Sequence, residues 1–526
     1  MFANTTGYNN TSVGRSALYA NTTGSSNTAL GRAALFANTT GADNTAVGSG
    51  CLDSNTTGND NVAVGRLALE FNTTANDNVA IGFLALRYNT TGADNVAMGS
   101  RALNQNTTGS NNIAIGSNAL DANTTASHGS AFGFSALSAN TTAQDNSAFG
   151  AYALQTTTTG ASNTAVGNAA LQLNTTGANN VAVGKNALLV NTTGTGNTAL
   201  GLETLQANTT ANYNTAVGFQ ALALNTTGTY DTASGYRALF NNTTGSYNAA
   251  YGRLSLETNT TGNENTAIGN AALHLSTTGI NNTSVGSASL GANTTGSHNT
   301  SVGQSALPVS TTGQYNVASG YESLKANTTG NGNTGIGRQS GDTTTSGNYN
   351  IFVGPSTRGA GTTNDQEIVI GTQGGGNVVG KGANTGYMQP NGGHMYQGNN
   401  ASAWSQTSDE RLKKNIVNND VGLAKINAIQ VRNFDYKTAE EVETDGVLDS
   451  SQAITKTGTQ LGVIAQELEL ICPDCVTTES TGVKTVSGDN LHWHMLNAIK
   501  ELSAKNDALE TQNATFAARL TALEGE

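Results

Sequence analysis

The 526-residue chain is acidic, polar and rich in glycine. It contains 64 Gly and 4 Pro, only 11% charged and 6% aromatic residues, and its formal net charge is −12 with a mean hydropathy of −0.30. A large globular core needs more aliphatic and aromatic side chains, whereas a disordered chain contains more charge and more Pro. The composition is typical of thin repetitive folds. It predicts no nucleic-acid partner, no membrane insertion and, with three cysteines, no disulfide framework.

A 17-residue unit fills most of the chain. Asn4-Thr5-Thr6-Gly7 opens the first of twenty-one copies, which follow in steps of 17 residues without insertion or deletion to a degenerate copy at Thr344. The consensus is N-T-T-G-x-x-N-T-A-V-G-x-x-A-L-x-x, and repeat positions are numbered from its first Asn. A fixed period of this size predicts a mainly β fold, an elongated β-solenoid or β-roll shaft. One coil per unit, rising about 4.8 Å, makes the shaft on the order of 100 Å long.

Several positions of the unit have predictable roles. Position 11 is Gly in every copy, which predicts a positive φ or a close backbone approach. The Gly at position 4 is less strict, because four copies carry Ala there. The apolar run before position 11, as in Thr45-Ala46-Val47, predicts a β-strand, and the Leu at position 15 a second inward side chain. Asn-Thr-Thr is suited to a turn or short strand whose side chains form ladders between coils.

The Ala-Val-Gly and Ala-Leu rhythm resembles the head repeats of trimeric autotransporter adhesins and repeats in phage tail fibres. The pattern leaves open whether each chain coils on itself or three chains wind together. Asn-Thr-Thr has the form of an N-glycosylation sequon, but its presence in nearly every unit favours a structural turn. A regularly spaced array of Thr side chains could bind ice, although bulky neighbouring residues such as Tyr8 and Arg15 disfavour this function. Aspartates such as Asp43 are too sporadic for calcium-binding repeats.

Composition and period divide the chain into three parts. Residues 1–360 are predicted to form the repeat shaft, 361–407 an irregular β-rich tip or junction, and 408–526 a separate α+β domain. Trp404 is expected to pack at the shaft tip rather than to bind a ligand. The acidic excess is concentrated after residue 408, as expected for a domain with helices.

Three ordered segments of the last part resemble the intramolecular chaperone domain of phage tailspikes and fibres, the endosialidase-type or peptidase S74 domain. They are Ser408-Asp409-Glu410-Arg411-Leu412-Lys413-Lys414-Asn415-Ile416, then Leu461-Gly462-Val463-Ile464-Ala465-Gln466-Glu467 followed by Pro473 and Val476, and Leu496-Asn497-Ala498-Ile499-Lys500-Glu501-Leu502. The resemblance implies a domain that forms a homotrimer, templates the folding of the β-structure before it, and cleaves itself off.

The resemblance also implies the chemistry of release. A serine needs a base to become a nucleophile, and a lysine can serve when its pKa is lowered. Ser408 is expected to attack the carbonyl of Thr407, with Lys413 taking the proton, so that the Thr407–Ser408 bond breaks. Backbone amides or Gln466 could stabilise the oxyanion. The expected activity is one serine autoproteolysis event rather than turnover; the alternative is a domain that trimerises without cleavage. Supporting residues are Asp409, Arg411, Asn415, Gln466 and Glu467.

The last segment predicts a coiled coil over residues 489–524. Apolar residues alternate spacings of four and three, which is a heptad seam. Asn506 and Asn513 occupy a-type positions and would set the register. Asn at such positions often favours two strands, so the trimer depends on the family resemblance. The apolar seam consists of Met495, Ile499, Leu502, Leu509, Phe516, Leu520 and Leu523.

The cysteine and histidine pattern near the C-terminus does not predict a zinc site. Cys472-Pro473-Asp474-Cys475 with His492 and His494 could supply zinc ligands. However, Pro473 and the following Val476 fit the family pattern, and a His-x-His pair departs from common zinc-finger spacing. Redox chemistry at Cys472 and Cys475 lacks its usual βαβ context. The sequence therefore predicts neither a metal nor a cofactor.

The leading functional prediction is a homotrimeric phage tail fibre, located in the virion, that binds a host cell-surface receptor and other tail proteins. A glycan is one candidate receptor. An extracellular cell-surface adhesin with a β-solenoid stalk is the main alternative, disfavoured because the first residues resemble no secretory signal. An ice-binding Thr-ladder solenoid and an enzyme acting on host polysaccharide are further alternatives. The enzyme would need paired carboxylates, and the acidic residues of the shaft are scattered.

Overall fold

A computed structural model describes residues 2–372, 376–390, 395–398, 410, 413–419, 422–445, 454, 456–478 and 482–525. The chain divides into two compact units, Met1–Thr407 and Ser408–Glu526, which are described separately. Trp404, which was predicted to pack at the shaft tip, lies outside the described residues.

The first unit is a β-solenoid with one three-residue strand in each coil. Equivalent strands pair in parallel with residues seventeen apart opposite each other, as in Thr164↔Val181 and Ala165↔Ala182. Because this pairing joins neighbouring repeats of one chain, the chain coils on itself. The predicted 17-residue β-solenoid is confirmed. Strands β1 to β21 are Thr11–Val13, Thr28–Leu30, Thr45–Val47, Val62–Val64, Val79–Ile81, Val96–Met98, Ile113–Ile115, Ser130–Phe132, Ser147–Phe149, Thr164–Val166, Val181–Val183, Thr198–Leu200, Thr215–Val217, Thr232–Ser234, Ala249–Tyr251, Thr266–Ile268, Thr283–Val285, Thr300–Val302, Val317–Ser319, Thr334–Ile336 and Ile351–Val353.

The stack continues beyond the last recognisable repeat. One further strand pairs in parallel on β21 with the same 17-residue step, Ile351↔Ile368, and the next on that strand with an 18-residue step, Ile368↔Gly386. The last described strand of this unit pairs antiparallel with the one before it and covers the open edge of the sheet, which is otherwise a site for unwanted strand pairing. These three strands are β23 (Ile368–Gly371), β25 (Gly386–Gln389) and β26 (Met395–Gln397), while β22 (Thr357–Arg358) and β24 (Val378–Val379) pair with each other in parallel.

The solenoid core is only a few side chains wide in each coil. The small residues at positions 9 and 14 and the Leu at position 15 point inward and are buried, as in Ala165, Ala170 and Leu171. Leu171 has a φ of 51°, in the left-handed region, and the Leu at position 15 of the other coils is similar. This conformation costs an L-residue about 1–2 kcal/mol. The turn after the position-11 Gly requires it in order to direct the Leu into the core.

Buried asparagine side chains connect the coils. At position 1, Asn38 Nδ2 donates to Asn21 Oδ1 at 2.9 Å and to Gly41 O at 2.9 Å. At position 7, Asn44 Nδ2 donates to Asn27 Oδ1 at 3.1 Å. Asn38 and Asn44 thus each bond both the neighbouring coil and the backbone, as buried polar groups generally require. The predicted ladders are present, and the sequon Asn is buried as a structural residue.

Leu205→Ala is expected to destabilise the solenoid by about 3 kcal/mol, because it leaves a cavity in a core that has few other side chains. Leu205 is fully buried, whereas Leu202 in the same coil is 40% exposed. The matched variant Leu202→Ala is expected to change stability by no more than about 0.5 kcal/mol. Thermal unfolding of the full chain compares the two; equal losses would contradict the assignment of Leu205 to the core.

The second unit is a small α+β fold that ends in a long helix, as predicted. It contains two antiparallel strand pairs, Arg432–Phe434 with Gln460–Gly462 and Val476–Thr478 with Lys484–Val486, and a small core of Leu468, Cys472 and Cys475. The last helix begins after Ser487, whose Oγ accepts a hydrogen bond from Asn490 N as an N-cap. The elements are α1 (Leu423–Ala428), β27 (Arg432–Phe434), α2 (Ala439–Asp445), β28 (Gln460–Gly462), α3 (Ala465–Ile471), a 3-10 helix (Pro473–Cys475), β29 (Val476–Thr478), β30 (Lys484–Val486) and α4 (Gly488–Glu524).

Candidate functional site

Most of the predicted cleavage site lies outside the described residues: Thr407, Ser408, Asp409 and Arg411. Lys413 and Asn415 are described, and both are exposed. Lys413 N donates to Glu410 O at 2.9 Å, and Asn415 has a left-handed φ of 56°. The Ser408–Lys413 dyad therefore remains a prediction.

Gln466 and Glu467, the two supporting residues predicted in the central motif, lie in the first turn of α3. Arg432 on β27 donates to Glu467 through two guanidinium nitrogens, Nε at 3.2 Å and Nη2 at 3.1 Å. This paired contact orients α3 against β27, because both groups are planar and have matching spacing. Gln466 is exposed and lines a cavity of about 460 Å³ together with Phe434 and Lys484. Its amide is therefore accessible to a group entering that cavity.

Glu501 has a role that the sequence did not reveal. Its Oε1 accepts hydrogen bonds from the backbone N–H groups of Gly422 at 2.7 Å and Leu423 at 3.2 Å. These N–H groups lie at the start of α1, where backbone donors lack partners within the helix and a negative charge is favourable. Gly422 allows this approach, since a Cβ there would collide with the backbone of Ala498. The third family-like segment thus holds α1 on α4.

The heptad seam of α4 faces solvent in the single chain. Every described residue from 502 to 525 is exposed, and on this helix only His494 and Ala498 are buried. An isolated helix of this length has little to stabilise it unless its apolar stripe packs against a partner. The predicted helix is confirmed, and the exposed seam residues are Met495, Ile499, Leu502, Leu509, Phe516, Leu520 and Leu523.

The solenoid also presents an apolar surface. The inward residue of each strand is at position 9, so positions 8 and 10 point outward on the same face of the sheet. Position 10 is apolar in most coils and aligns into a continuous column, because the strands stack in register. Exposed apolar surfaces of this extent mark interaction sites. Exposed members of the column include Val13, Leu30, Ile81, Met98, Phe149, Val166, Leu200, Tyr251, Ile268, Val302 and Ile336.

The Cys-Pro-Asp-Cys segment lies against the start of α4. Cys472 and Cys475 form a disulfide, a single local bond that the cysteine count did not predict. His494 Nε2 lies 2.9 Å from Asp474 Oδ2, and this hydrogen bond holds the pKa of Asp474 below its ordinary value. His492, the other histidine near this segment in the sequence, is exposed and does not join this group.

Comparisons with known proteins identify one domain. The Peptidase S74 family, described as chaperone of endosialidase, matches residues 408–477. The chain thus carries a chaperone-of-endosialidase domain after a β-solenoid. Searches of curated proteins and of solved structures each gave no significant match. Among the helices that the structure describes, none combines the length and apolar character needed to cross a bilayer.

Proposed function

We propose that this chain is a homotrimeric phage tail fibre of the virion whose C-terminal domain templates the folding of the shaft and then releases itself. The observation that carries the proposal is the chaperone-of-endosialidase match at residues 408–477, directly after a β-solenoid. The shaft is the part that would contact the host receptor and other tail proteins.

Two apolar surfaces support self-association. The seam of α4 and the position-10 column of the solenoid are both exposed in the single chain. Heptad seams are covered by the same seam on another helix, and every copy of this chain carries both surfaces. Second and third copies are therefore the natural occupants. The number three comes from the family resemblance.

Autocleavage is the second part of the proposal. Ser408 Oγ attacks the Thr407 carbonyl carbon while Lys413 takes the hydroxyl proton; collapse of the intermediate breaks the peptide bond, returns a proton to the new amino group of Ser408 and leaves Thr407 joined to Ser408 Oγ as an ester. Water then hydrolyses this ester, which gives the Thr407 carboxylate, restores the Ser408 hydroxyl and separates the two fragments. Exposed Lys413 would need partial burial in the assembled domain to act as a base at neutral pH. Assembly would then trigger cleavage, which ensures that only folded fibres lose their chaperone.

Receptor contact is assigned to the outward side chains, which vary between coils. Tyr213, Tyr230 and Tyr247 occupy one position of three successive coils, and their rings stack with centroids 5.2 Å apart. Their faces cover one another, so that mainly ring edges and hydroxyl groups are presented outward. Such a column suits hydrogen bonding to a polar receptor, including a glycan.

Ser408→Ala is expected to stop cleavage completely, because the nucleophile is removed. Wild type should give a shaft fragment ending at Thr407 and a C-terminal fragment starting at Ser408 on denaturing gels, with both termini defined by mass spectrometry. Ser405→Ala and Lys414→Ala are matched controls expected to cleave normally, whereas Lys413→Ala should not. A correctly folded wild-type trimer that stays intact would refute autocleavage.

The chaperone role has a separate readout. Deleting residues 408–526 is expected to yield aggregated or monomeric shaft, measured by light scattering after size-exclusion chromatography. A soluble, trimeric shaft made without this domain would contradict the folding role while leaving the cleavage result untouched.

The alternatives have less support. A cell-surface adhesin shares the solenoid but does not account for the chaperone domain. For ice binding, the Thr hydroxyls should be available to the surface. At position 2 they are used internally instead, as in Thr39 Oγ1, which donates to Thr56 O at 3.0 Å.

A further inference from the structure

We propose that the chain, when reduced, binds Zn²⁺ through Cys472, Cys475, His494 and Asp474. These residues belong to the C-terminal unit, and the sequence places them on two separate elements, the 3-10 helix region and α4. Two thiolates, an imidazole and a carboxylate form a donor set that Zn²⁺ commonly takes in four-coordinate sites.

The geometry is close to that of a tetrahedral site. One ligand atom from each of the four residues lies within 4.8 Å of all the others. Ligand atoms around a tetrahedral Zn²⁺ are roughly 3.3–3.8 Å apart, given bond lengths of about 2.0–2.3 Å. Asp474 Oδ1 lies 3.3 Å from Cys472 Sγ, and its Oδ2 lies 2.9 Å from His494 Nε2. Small side-chain movements would therefore admit the ion.

Burial favours a structural site with one open side. Cys472, Cys475 and His494 are only 1%, 0% and 3% exposed, whereas Asp474 is exposed. The three buried ligands are shielded from competing water. The exposed carboxylate lies where the ion would enter.

The surrounding backbone positions the ligands. Ser487 N donates to Cys475 O at 2.8 Å and Cys472 N to Leu468 O at 2.7 Å, while Asn490 Nδ2 donates to Asp474 O. Hydrogen bonds of this kind, made by residues around a metal site, hold the metal-binding residues in position. Two thiolates and a carboxylate around Zn²⁺ leave one net negative charge, and Lys425 Nζ lies 3.5 Å from Asp474 Oδ1, where it would balance that charge.

Zinc binding and the disulfide exclude each other. Reduction of the Cys472–Cys475 bond consumes two equivalents of a low-molecular-weight thiol, which become one disulfide, and leaves a proton on each sulfur. Zn²⁺ then displaces both protons as the two Zn–S bonds form. The ion would connect the segment after α3 to α4, a link that the Cys472–Cys475 disulfide does not provide.

The test uses the full chain, reduced with a phosphine and freed of metal by a chelator. Added Zn²⁺ should bind at about one ion per chain, and Co²⁺ in its place should show thiolate charge-transfer absorption and the strong visible bands of a tetrahedral site. Cys475→Ser and His494→Ala should each weaken Zn²⁺ binding more than about 100-fold. This is more than the loss expected when a residue that only hydrogen-bonds to a metal ligand is replaced.

Two variants serve as matched controls. His492→Ala removes the neighbouring exposed histidine, and Cys51→Ser removes the third cysteine, at a repeat position where other coils carry Ser, as at Ser289. Both should bind Zn²⁺ like wild type. The proposal fails if reduced and oxidised wild type take up equal zinc, if the cobalt spectrum is that of weak octahedral coordination, or if the two histidine variants behave alike. The cobalt spectrum of wild type decides the matter even if a cysteine variant does not fold.

Discussion

Gly218→Ala is expected to disrupt the middle of the solenoid, with a loss of roughly 3–5 kcal/mol. Gly218 has a φ of 126°, and an ideal Cβ there would lie 2.6 Å from the carbonyl oxygen of Gly235 in the next coil. The variant therefore combines backbone strain of about 1–3 kcal/mol with overpacking of similar size. The backbone strain cannot relax easily, because the strand before Gly218 is paired with the coils on both sides.

The same substitution at position 4 is the control. A Cβ at Gly228 would also approach the carbonyl oxygen of the next coil, that of Gly245. Gly228→Ala is nevertheless expected to be tolerated, because Ala75, Ala126, Ala143 and Ala211 already accommodate a buried methyl group at that position and the backbone there is not left-handed. Melting temperature and protease resistance of the full chain compare the two variants. If Gly218→Ala melted like Gly228→Ala, the strict glycine of position 11 would need another explanation.

Asp231→Asn is expected to stabilise the shaft at pH 8 by up to about 4 kcal/mol. Asp231 replaces the position-7 Asn of one coil and is fully buried. Burial raises the pKa of its carboxyl group to about 7, although hydrogen bonds from Asn248 and Asn242 oppose the rise. In the neighbouring coil the equivalent Asn214 Nδ2 donates to Gly228 O at 2.9 Å. An ionised carboxylate cannot donate in this way, whereas the protonated acid can.

The direction of the pH dependence follows from the raised pKa. An unfolded Asp has a pKa of about 3.9, so between roughly pH 4 and pH 7 the folded chain retains a proton that the unfolded chain releases. The stability contribution of the protonated group is complete below about pH 4, decreases as pH rises, and is lost above about pH 7. The gain from Asp231→Asn should therefore be largest above pH 7 and disappear near pH 4.

Calorimetric melting of the full chain from pH 4 to pH 8.5 measures this difference. Asp94→Asn, at an exposed position, should leave the pH dependence of stability as it is in wild type. Asn265→Asp should add a second loss of stability with rising pH, in another coil. A constant difference between wild type and Asp231→Asn across the range would contradict proton uptake by Asp231.

The features that repetition imposes could be predicted from the sequence. The strict 17-residue step, the invariant Gly at position 11 and the Leu at position 15 predicted coils, a special backbone and an inward side chain, and the structure confirms all three. Periodicity makes such predictions strong, because a requirement of one coil is repeated in every other coil. The apolar seam of α4 could be predicted for the same reason. A helix turns by a constant angle per residue, so apolar residues spaced alternately by four and three lie on one face.

Contacts between separate elements became visible only in the three-dimensional structure. It showed that the chain coils on itself, that Leu171 and its equivalents adopt a left-handed backbone, and that Glu501 holds the start of α1. It also placed His494, rather than His492, against the two cysteines, because residues two apart on a helix point to different sides. These arrangements depend on contacts between distant parts of the chain, and local patterns do not encode such contacts.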